Sequence, residues 1–306
     1  MTALAWQISV LGVLGVSLVV VAVRTLAIAR QPIHLRWELA PVPRSGKKGG
    51  YGGSYLEEYE WWSRPRPHSR TAALIYTGKE MFLLRSVWKN NRGLWPLTFA
   101  LHYGLYLLVG LSLGMAVVAV LSIAGLEALA APLLRRSLSA LVLLGYLLGS
   151  AGAIGLLLKR AFDPDLRPFS TLSRYFNLLF LGTVFLSGCY AWLRSGDYVA
   201  EVSRFAHSLI TLDANATVAF PLSFHLAVSL LFLLYLPVTD MIHFIAKYFT
   251  YHAVQWDDRP QNGSMERELR GLLRQPVTWS ASHIGSDGRK DWADVAAAEA
   301  GDGPKP

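Results

Sequence analysis

Residues 94–123 read LWPLTFALHYGLYLLVGLSLGMAVVAVLSI, thirty positions without an Asp, Glu, Lys or Arg. About 20 predominantly apolar residues in a helix cross the hydrocarbon core of a bilayer, so this stretch reads as a transmembrane helix. Similar runs flank it at about 4–23, 138–158, 175–193 and 220–245. Composition agrees. The chain has 306 residues, 53% hydrophobic and only 16% charged, against roughly a quarter charged in soluble domains. The predicted fold class is an all-α integral membrane protein, a five-transmembrane-helix bundle. No basic segment precedes the first run and no small-residue cleavage site follows it, so it is expected to stay as a helix rather than act as a secretory signal. The chain then divides into a first transmembrane helix over 1–26, a basic loop over 27–93, a four-helix membrane core over 94–250 and a tail over 251–306.

Lys and Arg concentrate on the cytoplasmic side of membrane proteins, and here they alternate between connections. Twelve stand between Arg30 and Arg92, and Lys159, Arg160, Arg167 and Arg174 follow the third run. The second connection has only Arg135 and Arg136, and the fourth sets Arg194 and Arg204 against Asp197, Glu201 and Asp213. The expected orientation is N-terminus outside and C-terminus cytoplasmic. The formal net charge of +8 belongs to loops that face lipid headgroups, and it gives no support to nucleic-acid binding.

Several chemistries are excluded by what the sequence lacks. A single cysteine, Cys189, lies inside the fourth run. That rules out a disulfide framework, a Cys-rich zinc site and an iron–sulfur cluster held by this chain alone. There is no C-x-x-C-H for covalent haem, no G-x-S-x-G elbow and no phosphate loop. The glycines at 46–53 accompany Lys47 and Lys48 without a G-K-[ST] ending, which reads as a flexible loop. No internal repeat of the transporter kind is visible.

Three histidines, His102, His225 and His243, lie within or at the edge of apolar runs. An ionisable side chain there is costly and is a functional candidate by default. The alternative is that each only bridges helices, which would suit a transporter or an assembly scaffold. His225 and His243 are eighteen residues apart, five turns of one helix, which would aim both the same way about 27 Å apart; Pro237 between them is expected to kink that helix. His102 and His243 are matched in depth, near the expected cytoplasmic face, so two imidazoles on facing helices would make a six-coordinate haem site. Gly104, Gly110 and Gly114 leave room on the second helix for a porphyrin or for a closely packed helix. Trp95, Tyr103 and Tyr106 read as interfacial or packing aromatics, and Cys189 as a small buried residue.

The stretch HLAVSLLFLLYLPVTDMIH, His225 to His243, resembles the last helix of the respiratory nitrate reductase gamma subunit family, five-helix cytochromes b in which two histidines at this separation each serve one haem. FALHYGLYLLVGLSLGM is similar to the family's second helix, with His102 at the position of the cytoplasmic-side ligand. The loop pieces HLRWELAPVP, YGGSYLEEYEWW and NNRGLWP, with KYFTYHAVQWDDRP and WSASHIGSDGRKDWADVA in the tail, resemble the branch of membrane subunits that accompany heterodisulfide-reductase-like iron–sulfur proteins in anaerobic respiratory complexes. The resemblance implies haem b, a membrane quinone or quinol as substrate, and a cytoplasmic iron–sulfur partner. It also implies further membrane or periplasmic cytochrome c subunits, and a bacterial or archaeal cytoplasmic membrane. The chain would then be a subunit of a quinone-linked oxidoreductase rather than the one carrying substrate chemistry. One departure stands out. The family has a second histidine about ten residues beyond the first on its second helix, where this chain reads Gly110, Leu111, Ser112, Leu113, Gly114. His225 is expected to ligate a second, outer haem, with His207 in the outer connection as the other ligand, or Met115 in its place. His34, His68, His252 and His283 lie in polar segments and are expected to be exposed or partner-facing. Trp256, Trp279 and Trp292 in the tail suggest an extended docking arm.

Overall fold

Without water to bond, an apolar run must satisfy its backbone internally, and helix is the outcome. The computed structural model describes residues 3–30, 59, 70–125, 132–213, 215–247, 264–279 and 287–297. Among the described residues, five helices are long and apolar enough to cross a membrane: Leu4–Arg30, Trp95–Ile123, Leu133–Phe162, Leu172–Arg194 and Phe220–Val238. They belong to α1 (Ala3–Arg30), α4 (Trp95–Ile123), α5 (Pro132–Phe162), α6 (Leu172–Arg194) and α8 (Phe220–Tyr235). Two limits extend past the apolar runs. α1 continues to Arg30, where Pro32 shortly follows and disfavours helix at the residue before it. α5 starts at Pro132, whose fixed φ suits a first helical position.

The segment expected to be a loop up to residue 93 also contains helix. α2 (Arg70–Leu83) and α3 (Arg85–Asn90) meet at Leu84, which takes the left-handed conformation at φ 48°. The carboxylate of Glu80, itself buried, accepts from Ser86 N–H at 3.1 Å and closes that corner. Between α6 and α8 lies α7 (Tyr198–Thr211), capped by Asp197, which accepts from Ala200 N–H.

Two compact units divide the chain, Met1–Ala22 with Leu74–Ile242, and Val23–Ala73 with His243–Pro306. In the first, glycines set the packing. A Cβ on Gly104 of α4 would stand 2.5 Å from Gly149 N and 2.7 Å from Gly145 O of α5, so these backbones touch. Leu101 lies on Gly152 and Leu97 on Gly155, which fixes α4 and α5 as antiparallel. The Phe185 ring of α6 fills the notch at Gly149, and the Tyr146 ring of α5 fills the notch at Gly188. α6 in turn packs on α8, and leucines of α4 (Leu105, Leu108, Leu111) share one core cluster with Leu222 and Phe232 of α8. Trp6 and Val10 of α1 pack with Phe205 of α7. Gln7, buried, donates to the carbonyls of Ser208 (3.1 Å) and Asp213 (2.7 Å), and Ser17 donates to Leu233 O at 3.0 Å. α1 therefore runs parallel to α8.

The fifth span corrects one expectation. In place of a single helix kinked at Pro237, α8 ends at Tyr235, 3-10 turns follow at Leu236–Val238 and Asp240–Ile242, and Thr239 between them is extended. Pro237 removes a backbone donor and its ring opposes the preceding turn. Asn177 of α6 pins both sides of the break, accepting from Tyr235 Oη at 2.7 Å and donating to Asp240 Oδ1 at 2.8 Å. The eighteen-residue spacing of His225 and His243 thus does not place them on one face of a continuous helix.

The second unit includes α9 (His243–Lys247), α10 (Ser264–Leu273) and α11 (Trp292–Ala297). Pro276 and Asp291 form an antiparallel bridge, with Val277 N–H donating to Lys290 O at 2.9 Å. Val277 is buried, and Trp279 meets Trp292 edge-on at 6.1 Å. The described part of the tail therefore has local structure of its own, and the extended arm is corrected to that extent. An apolar residue and a tryptophan pair give this short segment something to fold around.

Candidate haem site

His102 stands in the second turn of α4, one residue beyond Leu101 and hence about 100° around the helix from the face that packs on α5. Thr98, one turn earlier, presents its carbonyl to the ring: His102 Nδ1–H donates to Thr98 O at 2.8 Å. A carbonyl can only accept, so the proton resides on Nδ1 and the lone pair on Nε2. That tautomer, with the far nitrogen held by a backbone carbonyl, is how a metal-ligating histidine is oriented. Tyr106 follows one turn later, edge-on to the imidazole at 6.2 Å between centroids.

Three aromatic side chains fasten α4 to α2. Trp95 Nε1 donates to Leu83 O (2.9 Å), Tyr103 Oη to Phe82 O (2.8 Å) and Tyr106 Oη to Met81 O (3.0 Å). The last carbonyls of any helix lack intrahelical donors, and here α4 supplies them. These aromatics are packing residues, as their sequence setting suggests, but with a specific task. His243 begins α9 in the second unit and is exposed.

At the opposite end of the four-helix core stands His225, in the second turn of α8. Ser187 of α6 has one proton, which it donates to Val184 O at 2.8 Å, so it accepts from His225 Nδ1–H at 2.9 Å. Nε2 then accepts from Tyr146 Oη at 2.9 Å, and Tyr146 accepts from Tyr198 Oη at 2.7 Å. Burial pushes the Tyr198 phenol up to about 12, the largest cause being desolvation. His207, sought in the outer connection, is half-buried on α7, and Met115 is buried on α4.

Haem b is implied by the sequence, and the two ends of the core differ in how they suit it. The His102 end fits in one respect: the Thr98 carbonyl sets its ring in the tautomer that a metal-ligating histidine takes. The His225 end does not fit, because both ring nitrogens serve protein hydroxyls and aromatic rings occupy the adjoining glycine notches. Cys189 is half-buried against the core. His34, His68, His252, His283 and the glycines at 46–53 lie outside the described residues. Sequence reasoning missed Tyr146, Ser187 and Tyr198. The available signal was a tyrosine in the middle of LVLLGYLLGS, whose hydroxyl needs a partner when buried.

These features describe a helical chain with five segments long and apolar enough to cross a membrane and a histidine whose Nδ1 is held by a backbone carbonyl. The nitrate reductase gamma subunit family profile matches residues 89–257, more than half of the chain, and the chain belongs to that family. Its members are membrane cytochrome b-type subunits of respiratory reductases, b-type haem proteins that interact with quinol. No curated protein and no solved structure gives a significant match.

Proposed function

We propose that this chain is the membrane-anchoring cytochrome b subunit of a respiratory complex, relaying electrons between membrane quinol or quinone and a cytoplasmic iron–sulfur subunit of the heterodisulfide-reductase-like kind. His102 and His243 would hold one haem near the cytoplasmic face of a bacterial or archaeal inner membrane. The observation that carries this reading is the His102 Nδ1–H bond to Thr98 O, on a helix inside the family-matched region. Bound there, haem b supplies a one-electron carrier inside the bilayer.

The chain's own residues do the rest. Thr98 holds the His102 ring in one orientation and one tautomer, and the α2 carbonyls hold Trp95, Tyr103 and Tyr106 on either side of it along α4. The break at Pro237 interrupts the helix before His243. Twelve Lys and Arg between Arg30 and Arg92 support both the orientation and a soluble partner at that face. The test is to change each ligand singly. His102→Ala and His243→Ala are each expected to abolish the bis-histidine low-spin signal of the purified protein. A normal bis-histidine spectrum in both variants would refute the pairing.

A further inference from the structure

His225 is the meeting point of four helices. Its own helix is α8, Ser187 reaches it from α6, Tyr146 from α5, and Tyr198 of α7 joins through Tyr146, with every contact in the chain between 2.7 and 2.9 Å. Proton counting orders the chain without a gap, from Tyr198 to Tyr146 to His225 to Ser187 to the Val184 carbonyl. No member is left without a partner by this assignment. An imidazole that ligates iron needs one nitrogen on an acceptor and the other lone pair on the metal. Ser187 meets the first requirement, and the Tyr146 hydroxyl occupies the position where the second would be met. Moving that hydroxyl aside is not a local change. The Tyr146 ring lies in the Gly188 notch and is 5% exposed, and beside it the Phe185 ring, 1% exposed, fills the Gly149 notch. On α4 at this end stand Gly110, Leu111, Ser112, Leu113 and Gly114, without an imidazole. α7, which carries His207, turns Phe205 and Ser208 toward α1 and also packs on α4, where no imidazole stands at this end.

We infer that the chain holds a single haem b, at its His102 end, and that His225 is the hub of a hydrogen-bonded lock closing the other end of the core. The inference rests on the proposed cytochrome b function and narrows it. Electrons enter and leave this chain in one half of the membrane, and any path through the other half belongs to a partner subunit.

The full-length chain, produced with haem available and purified in detergent, is assayed for haem b per polypeptide by pyridine haemochrome against amino-acid analysis, alongside His225→Gln and His102→Ala. The expected ratios are one for the unsubstituted chain, one for His225→Gln, whose amide still offers a donor and an acceptor, and zero for His102→Ala. Potentiometric titration of the unsubstituted chain is expected to give one n = 1 wave. Two haems per chain, or two waves, overturn the inference while leaving the cytochrome b reading intact. A single haem that survives His102→Ala overturns it as well, whether or not His225→Gln folds. No haem in the unsubstituted chain defeats the underlying reading, and the inference falls with it.

Discussion

A backbone carbonyl one turn before His102 decides which ring nitrogen carries a proton, and the residues around it show how the same economy recurs. Tyr103 and Tyr106 each spend a hydroxyl on a carbonyl at the end of α2. Tyr103→Phe and Tyr106→Phe are each expected to lower stability in detergent by about 0.5–1.5 kcal/mol. Unchanged thermal unfolding of the double variant would show that α2 is held by other contacts. Tyr198 makes a pH prediction. Its phenol ionises near pH 10 in the unfolded chain and at about 12 when buried, so its contribution is fully present below pH 10 and is lost as pH rises toward 12. Absorbance of tyrosinate near 295 nm is expected to show a late-titrating tyrosine fraction, and Tyr198→Phe to reduce it. Among these residues His102 was legible in the sequence because an imidazole in a thirty-residue apolar run is conspicuous. Thr98 was not, since its part is played by a carbonyl that every residue has. The role of Tyr146 is set by helices that only tertiary packing brings together.

At the scale of helices, glycines decide which surfaces meet. Gly104 faces α5 backbone, whereas a Cβ on Gly110 or Gly114 would meet nothing within 4 Å. Gly104→Ala is accordingly expected to cost about 1–3 kcal/mol as an overpacked contact. Gly110→Ala is expected to be neutral or to stabilise by up to about 1 kcal/mol through helix propensity. Equal melting temperatures for the two variants would contradict the α4–α5 register. The sequence left open whether these glycines receive a porphyrin or a helix, and for Gly104 the answer is a helix. The five spans were legible because bilayer thickness imposes a length on apolar runs. α2 and α3 were not, because a short helix docked by its terminal carbonyls leaves no long apolar signature. Pro237 was read correctly as a disturbance and underestimated as one, since Asn177 in a distant helix stabilises a full break.

For the whole molecule, charge alternation between connections and the structured pieces of the tail support a subunit that presents one face to a soluble partner. Truncation from Gln261 removes α10, α11 and the Pro276–Asp291 bridge while leaving His102 and His243 in place. It is expected to release the iron–sulfur subunit from detergent-extracted complex without altering the haem spectrum, and retention of a full complex would count against docking by the tail. Reporter fusions at the two ends are expected to place the C-terminus in the cytoplasm and the N-terminus outside.

The central claim, that this chain is a cytochrome b, is tested most directly by the reduced-minus-oxidised absorption spectrum of the purified full-length protein assembled with haem available. A b-type alpha band on reduction is the predicted result. A chain that is folded, helical and inserted in the membrane yet shows no such band would contradict the account.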